Sequence, residues 1–249
     1  MSSRVQQKEA ARKRREAVEA EERRAAKQRG ARWRLAIIAG AALALTAGVI
    51  TVSRLSQEDA VAQPQAVSER FAGIPQDGIQ LGSPSAPATL VEYADLQCPF
   101  CGAYARDVLP TIIERYVRPG KLMLELNLLT FVGEDSLKAG KLAAATTKQD
   151  RFWGFSDAFF AAQGRENTGY VTDDFLKETA TAAGADYEAA KGDSSTADRV
   201  LKQAQTGAER LGVSSTPTFF VRRGHDETPL KIDDLTPETF TAALDEALR

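Results

Sequence analysis

The chain has 249 residues, with 32 Lys or Arg, 34 Asp or Glu, one His and two Cys, for a formal net charge of −2. That charge is uneven: residues 1–34 hold twelve basic and five acidic side chains, leaving 20 against 29 for residues 35–249. The part able to fold therefore lacks the phosphate-neutralising charge of a general nucleic-acid binder, and two Cys with one His cannot close a four-ligand structural zinc site within one chain.

From Leu35 to Ser53, nineteen residues run without a charge between Arg34 and Arg54. At about 1.5 Å of rise per residue a helix of this length nearly matches the ~30 Å hydrocarbon core, so the stretch reads as one transmembrane helix. Lys and Arg crowd before it, and only Arg54 and Arg70 follow in the next twenty residues. This bias keeps the basic segment 1–34 in the cytoplasm and exports the rest of the chain, where disulfides form and persist. Ala60-Val61-Ala62 fits the small-residue signal-peptidase pattern, so a cleaved secreted form is the alternative to a retained anchor. Residues 54–87, with Pro64, Pro75, Pro84 and Pro87, read as a linker of extended character, and globular character begins near Phe71.

Thr89 to Ala94 is short, β-branched and apolar, and predicts a buried strand. A helix is expected from Pro99 to about Tyr116, with proline in its first turn where a missing N–H costs nothing. Leu122 to Leu129 alternates between Gly120 and Gly133 and predicts a second strand. Residues 136–211 carry apolar side chains at helical spacing, with start signals at Ser136, Thr172 and Ser195. Thr218–Val221 and Leu230–Ile232 suit a hairpin, and Thr236-Pro237-Glu238 opens a closing helix that runs to Leu248. The order is βαβ, helices, ββα, with a first α/β part at 88–135, a helical insertion at 136–211 and a second part at 212–249.

Cys98-Pro99-Phe100-Cys101 lies just after the first main strand, at a helix start. A thiolate there faces unpaired backbone N–H groups and the positive end of the helix dipole, which favour the anion. Cys98 is the candidate nucleophile. Cys101, one turn further and more enclosed, is the candidate resolving thiol. The bland alternatives are a static disulfide and half of a shared metal site. Glu92 sits in an otherwise apolar strand, where burying an ionised carboxylate is expensive, so its pKa is expected to rise unless the strand end is open to solvent.

Strand, CxxC at a helix start, inserted helices and a Thr-Pro before a hairpin together resemble the DsbA-like branch of the thioredoxin superfamily. The resemblance rests on Gly73-Ile74-Pro75-Gln76, on Glu92 to Cys101, and on Gly212-Val213-Ser214-Ser215-Thr216-Pro217-Thr218-Phe219-Phe220. It implies a thioredoxin fold with an inserted helical domain and a cis Thr216–Pro217 bond beside the nucleophilic sulfur. It also implies that Thr216 and Pro217, together with Pro99 and Phe100 between the cysteines, contact an extended substrate. Superfamily members place a buried acid six residues before the nucleophile, so Glu92 is a candidate proton-transfer group for Cys101. The family's best-known member carries His where this chain has Phe100, so its strongly oxidising potential does not carry over automatically. His225 reads as an exposed turn residue, Asp95 as a turn carboxylate, and Phe152, Trp153, Phe155, Phe159 and Phe160 as core.

The expected function is a membrane-tethered disulfide oxidase acting on the thiols of exported proteins, without cofactor or metal. The resemblance implies reoxidation by a quinone-linked membrane protein. The linker is too short and polar for a dimerisation domain, so a monomeric catalytic domain is expected. A reductase or isomerase of the same fold, and a non-catalytic binding or holdase module, are the alternatives.

Overall fold

One six-stranded mixed sheet organises the computed structural model, which describes residues 70–249. The expected basic segment, the transmembrane helix at 35–53 and linker residues 54–69 lie outside the described residues. Among the described residues no helix is long and apolar enough to cross a membrane. Across the sheet the strands run β1 (Gln76–Asp77), β2 (Gln80–Leu81), β4 (Met123–Leu128), β3 (Thr89–Ala94), β5 (Thr218–Arg223) and β6 (Asp226–Leu230). β3 pairs in parallel with β4 and antiparallel with β5, and every residue of β3 is buried. That matches its run of apolar and β-branched side chains, since a strand covered on both faces cannot alternate with water-facing residues.

The β1–β2 hairpin corrects the extent expected for the linker. Residues 70–87 belong to the folded unit: Phe71, Ile74 and Leu81 are buried, and β2 pairs with β4 through Gln80↔Glu125 and Leu81↔Leu124. Two-residue strands carry no periodicity of their own, and their register comes from the β4 edge.

Helix α1 (residues 99–117) follows β3 and contains Pro110. Proline lacks an N–H and clashes with the carbonyl four residues back. The helix continues through two π turns, Tyr104–Val108 and Ile113–Val117, the first of which widens the backbone where that clash would fall. Between β4 and β5 come α2 (Glu134–Ala145), α3 (Phe152–Ala161), α4 (Asp173–Ala182), α5 (Tyr187–Gly192) and α6 (Ser194–Leu211), and α7 (Pro237–Ala247) closes the fold. Thr172 and Thr236 cap α4 and α7 by accepting the N–H groups of Phe175 and Thr239. The cap of α6 is Asp193, two residues before the expected Ser195, and it accepts the Thr196 N–H. α2 starts at Glu134 and leaves Ser136 free for a different bond.

α1 and α7 cover one face of the sheet, where the rings of Tyr104, Phe219 and Phe240 lie 4.7–5.1 Å apart. α6 covers the other face with Ala204 and Ala208 against Val91, Tyr93 and Phe220. Phe152, Trp153, Phe155, Phe159 and Phe160 are all buried as core.

Candidate active site

The site forms where β3 ends and α1 begins. The Cys98 N–H donates to the Asp95 carbonyl at 2.9 Å, and the Cys98 carbonyl accepts the Gly102 N–H at 3.1 Å. Cys98 is thus the residue that caps α1, with extended φ −73° and ψ 120°, and Pro99 follows as the first helical residue. No side-chain oxygen occupies the cap, so the first free N–H groups of the helix face the sulfur instead.

Both cysteines are free thiols and both are buried. As a thiol, Cys98 donates to the Thr216 carbonyl with Sγ 3.3 Å from the oxygen. As an anion its sulfur is held by a hydrogen bond from Cys101, by the Thr216 side chain and by the backbone N–H groups of Cys101 and Phe100. Together these outweigh burial and bring the Cys98 pKa down to about 6. Cys101 behaves oppositely: burial first, then its bond to Cys98 and the nearby Glu92 carboxylate, push its thiol well above the ordinary value.

The Thr216–Pro217 peptide bond is cis. Pro217 enters β5, whose next residues pair with β3 through Tyr93↔Thr218 and Glu92↔Phe219. The β3–β5 ladder therefore carries the loop from the far end of the chain to the sulfur of Cys98. Phe100 is 65 % exposed and, with Pro217, Leu230, Ile232 and Leu235, lines a shallow groove of about 290 Å³. Pro99 is exposed beside it.

Glu92 lies between Leu126 of β4 and Phe219 of β5, on the face covered by α1 and α7. It is 5 % exposed, and its Oε1 has no hydrogen-bond partner. Burial first, then the charge of Cys98, raise its pKa to about 8. The strand-end position open to solvent is not what the fold gives it.

Asp95 is buried, and its carboxylate is engaged within the fold. It accepts the backbone N–H groups of Gln97 (2.8 Å), Phe131 and Val132 (3.1 Å each), and the Ser136 hydroxyl (2.6 Å). His225 is exposed in the β5–β6 turn. Gln163, Asn167 and Tyr170 lie in no sequence motif, and Gln97 falls in the Glu92–Cys101 stretch without a role of its own, yet the four form polar contacts around the Cys98 turn. Their partners lie 65–73 residues away, beyond any local pattern. Among the described residues no group of three His, Cys, Asp or Glu is arranged to hold a metal.

The thioredoxin family model matches residues 75–246. A probable disulfide bond formation protein D from Bacillus cereus is 32% identical over 150 residues, covering 57% of this chain and 68% of that protein. Disulfide bond formation protein D of Bacillus subtilis is 26% identical over 147 residues, covering 57% of this chain and 66% of the relative. Among solved structures, oxidised BdbD from Bacillus subtilis aligns with TM-score 0.60 at 22% identity, over 69% of this chain and 92% of its own. A cysteine variant of alpha-DsbA1 from Wolbachia pipientis aligns with TM-score 0.57 at 25% identity, over 73% and 95%. These likenesses show the thioredoxin fold.

Proposed function

The chain belongs to the thioredoxin family, and on that premise we propose that its Cys98–Cys101 pair donates disulfides to other proteins. It is a thiol-disulfide oxidoreductase, which its similarity to proteins named for disulfide bond formation supports. In the oxidised pair a substrate thiolate attacks Sγ of Cys98. The Cys98–Cys101 bond breaks, and Cys101 leaves with the electron pair and takes up a proton. A second substrate thiolate then attacks the substrate sulfur of the mixed disulfide and expels Cys98 as a thiolate. Two substrate thiols have become a disulfide, and the enzyme pair has gained their two electrons.

One observation carries the direction: Cys98 is stabilised as the anion, with a pKa near 6. A thiolate of low pKa is a good leaving group, and stabilising the reduced form makes the pair a stronger oxidant. Relative to an ordinary thiol such as glutathione, that stabilisation is complete above the ordinary thiol pKa, shrinks as pH falls toward about 6 and is gone below it, so the advantage over glutathione as an oxidant declines across that window. Cys101 is a poor leaving group and needs a proton. Glu92, with a pKa near 8, is protonated at neutral pH and lies close enough to affect both sulfurs, so it serves as the donor, and as the acceptor when Cys101 attacks.

Thr216 and Pro217 hold the substrate chain beside Cys98, and Pro99 and Phe100 contact its side chains. The uncharged run at 35–53 tethers the catalytic domain to the outer face of the cell membrane, with the N-terminus in the cytoplasm. A quinone-linked membrane protein reoxidises the pair, and the shared surface raises the effective concentration of the two. The catalytic domain works as a monomer.

Incubating the full chain, oxidised, with a reduced unfolded protein tests this reading. Disulfides should appear in the substrate, and both Cys98→Ser and Cys101→Ser, which cannot form the oxidised pair, should abolish the reaction, whereas Cys101→Ser offered a substrate that already carries a disulfide should accumulate mixed disulfides through Cys98. Oxidation that persists in the Cys98→Ser variant would contradict the assignment.

A further inference from the structure

The turn that presents Cys98 is gripped by side chains of the helical insertion that the reaction above does not use. Gln163, two residues past α3, donates from Nε2 to the Leu96 carbonyl at 2.8 Å and to the Cys98 carbonyl at 3.0 Å. Gln97, only 1 % exposed, reaches the opposite way: it donates to the Tyr170 hydroxyl at 2.8 Å and accepts the Asn167 N–H at 3.2 Å. The loop carrying these partners is itself tied down. The Gly169 N–H donates to the buried Asp135 carboxylate at 2.8 Å, and the Asn167 amide donates to the Val132 carbonyl.

Gly102 completes the fit. A Cβ at that position would overlap Gln163 Oε1, so α1 is indented where the carboxamide rests. Arg106, which also borders that indentation, is engaged with the Phe160 carbonyl at 2.7 Å. The titratable groups that act on the Cys98 sulfur are Cys101 on α1 and Glu92 on β3, so Gln163 is a neutral influence from a third element.

We propose that Gln163 is a positioning residue for Cys98 and sets how readily its sulfur reacts. Two effects act in one direction. The Cys98 carbonyl accepts both Gln163 and the first helical N–H, which fixes the peptide planes around the cap and aims the Phe100 and Cys101 N–H groups at the sulfur. The Gln163 amide also brings the positive end of its dipole to the carbonyls flanking Cys98, offsetting their negative ends near an anion. The helical insertion thereby tunes the thiol it flanks.

This inference rests on the oxidoreductase reading, and the experiment separates the two. The reduced full chain, Gln163→Ala and Gln163→Glu are alkylated with iodoacetamide across a pH series, with thermal unfolding measured alongside. Losing one such hydrogen-bonding group should slow alkylation at pH 6 about fivefold, with rates converging on those of the unchanged chain at pH 10. Gln163→Glu keeps the shape and removes the donors, so it decides the matter if the alanine variant does not fold. Gly102→Ala should give the same low-pH loss by displacing the carboxamide, although alanine favours a helix more than glycine does. Identical pH profiles in the unchanged chain and the Gln163 variants would overturn the inference, as would a rate lowered equally at every pH. An unchanged chain that shows no reversible Cys98–Cys101 couple would instead remove the oxidoreductase reading beneath it.

Discussion

Two glutamates on neighbouring strands, Glu92 of β3 and Glu125 of β4, point to opposite faces of the sheet and meet opposite fates. They are similarly enclosed, at 5 % and 9 % exposure. Burial alone would raise the Glu125 pKa, but Arg222, Gln80 and Asn127 all donate to its carboxylate and hold it below the ordinary range. Arg222 continues to Glu227 at 3.3 Å, and Glu227 to Arg210, so the charges on that face alternate in sign from Glu125 to Arg210. Among the described residues Glu92 meets no cation and leaves one oxygen without a partner, and its pKa rises to about 8. Partners rather than depth decide the outcome. The paired carboxylate helps fasten β4, β5 and β6, whereas the unpaired one is coupled electrostatically to both thiols and is the group that the proposed reaction uses for proton exchange.

The largest effect should come from breaking the pair. Arg222→Ala leaves Glu125 buried without its cation, and denaturant unfolding at pH 7 should show a loss of about 3–5 kcal/mol, while thiol chemistry per folded molecule is unchanged. A stability change close to zero would mean that the two faces do not differ as described. On the other face, Glu92→Gln should slow thiol-disulfide exchange at Cys101 about 10²-fold at pH 7, measured by quenched-flow trapping of mixed disulfides.

The same Glu92→Gln substitution should raise stability, the reverse of the effect at Arg222. A carboxyl whose folded pKa is raised contributes stability that is complete below about 4.5 and is lost as pH rises through about 8. Unfolding curves of the unchanged chain and Glu92→Gln should therefore agree near pH 4 and separate by pH 8, with the variant more stable. Glu125, with its lowered pKa, has the opposite slope: its contribution is present above the ordinary carboxylate pKa and is lost on acidification. The smallest effect is expected at the exposed end of the chain of charges. Arg210→Ala should leave the thermal unfolding midpoint nearly unchanged, because its charge is exposed to solvent.

The contrast between the two glutamates also marks how much the sequence discloses. Glu92 is legible because a charge interrupts an apolar strand six residues before Cys98. Cys98, Cys101 and the Thr216-Pro217 pair stand out because each is a local pattern with a chemical reason, and Thr172 and Thr236 because capping acts over three residues. The role of Glu125 is not legible, since its cation lies 97 residues away on β5. The hold of Gln163 on the Cys98 turn is hidden for the same reason. α3 begins without a side-chain cap and is formed by burying Phe152, Phe155 and Phe159, so no start signal precedes it. The β1–β2 hairpin was hidden because its strands draw their register from β4.

The reduction potential of the Cys98–Cys101 pair in the full chain, equilibrated against glutathione buffers at pH 7, tests the central claim most directly. A pair that donates disulfides through a stabilised Cys98 thiolate should have a potential well above about −200 mV. A value near or below about −270 mV, the range of thioredoxin, would make the pair a reductant and contradict the proposed direction.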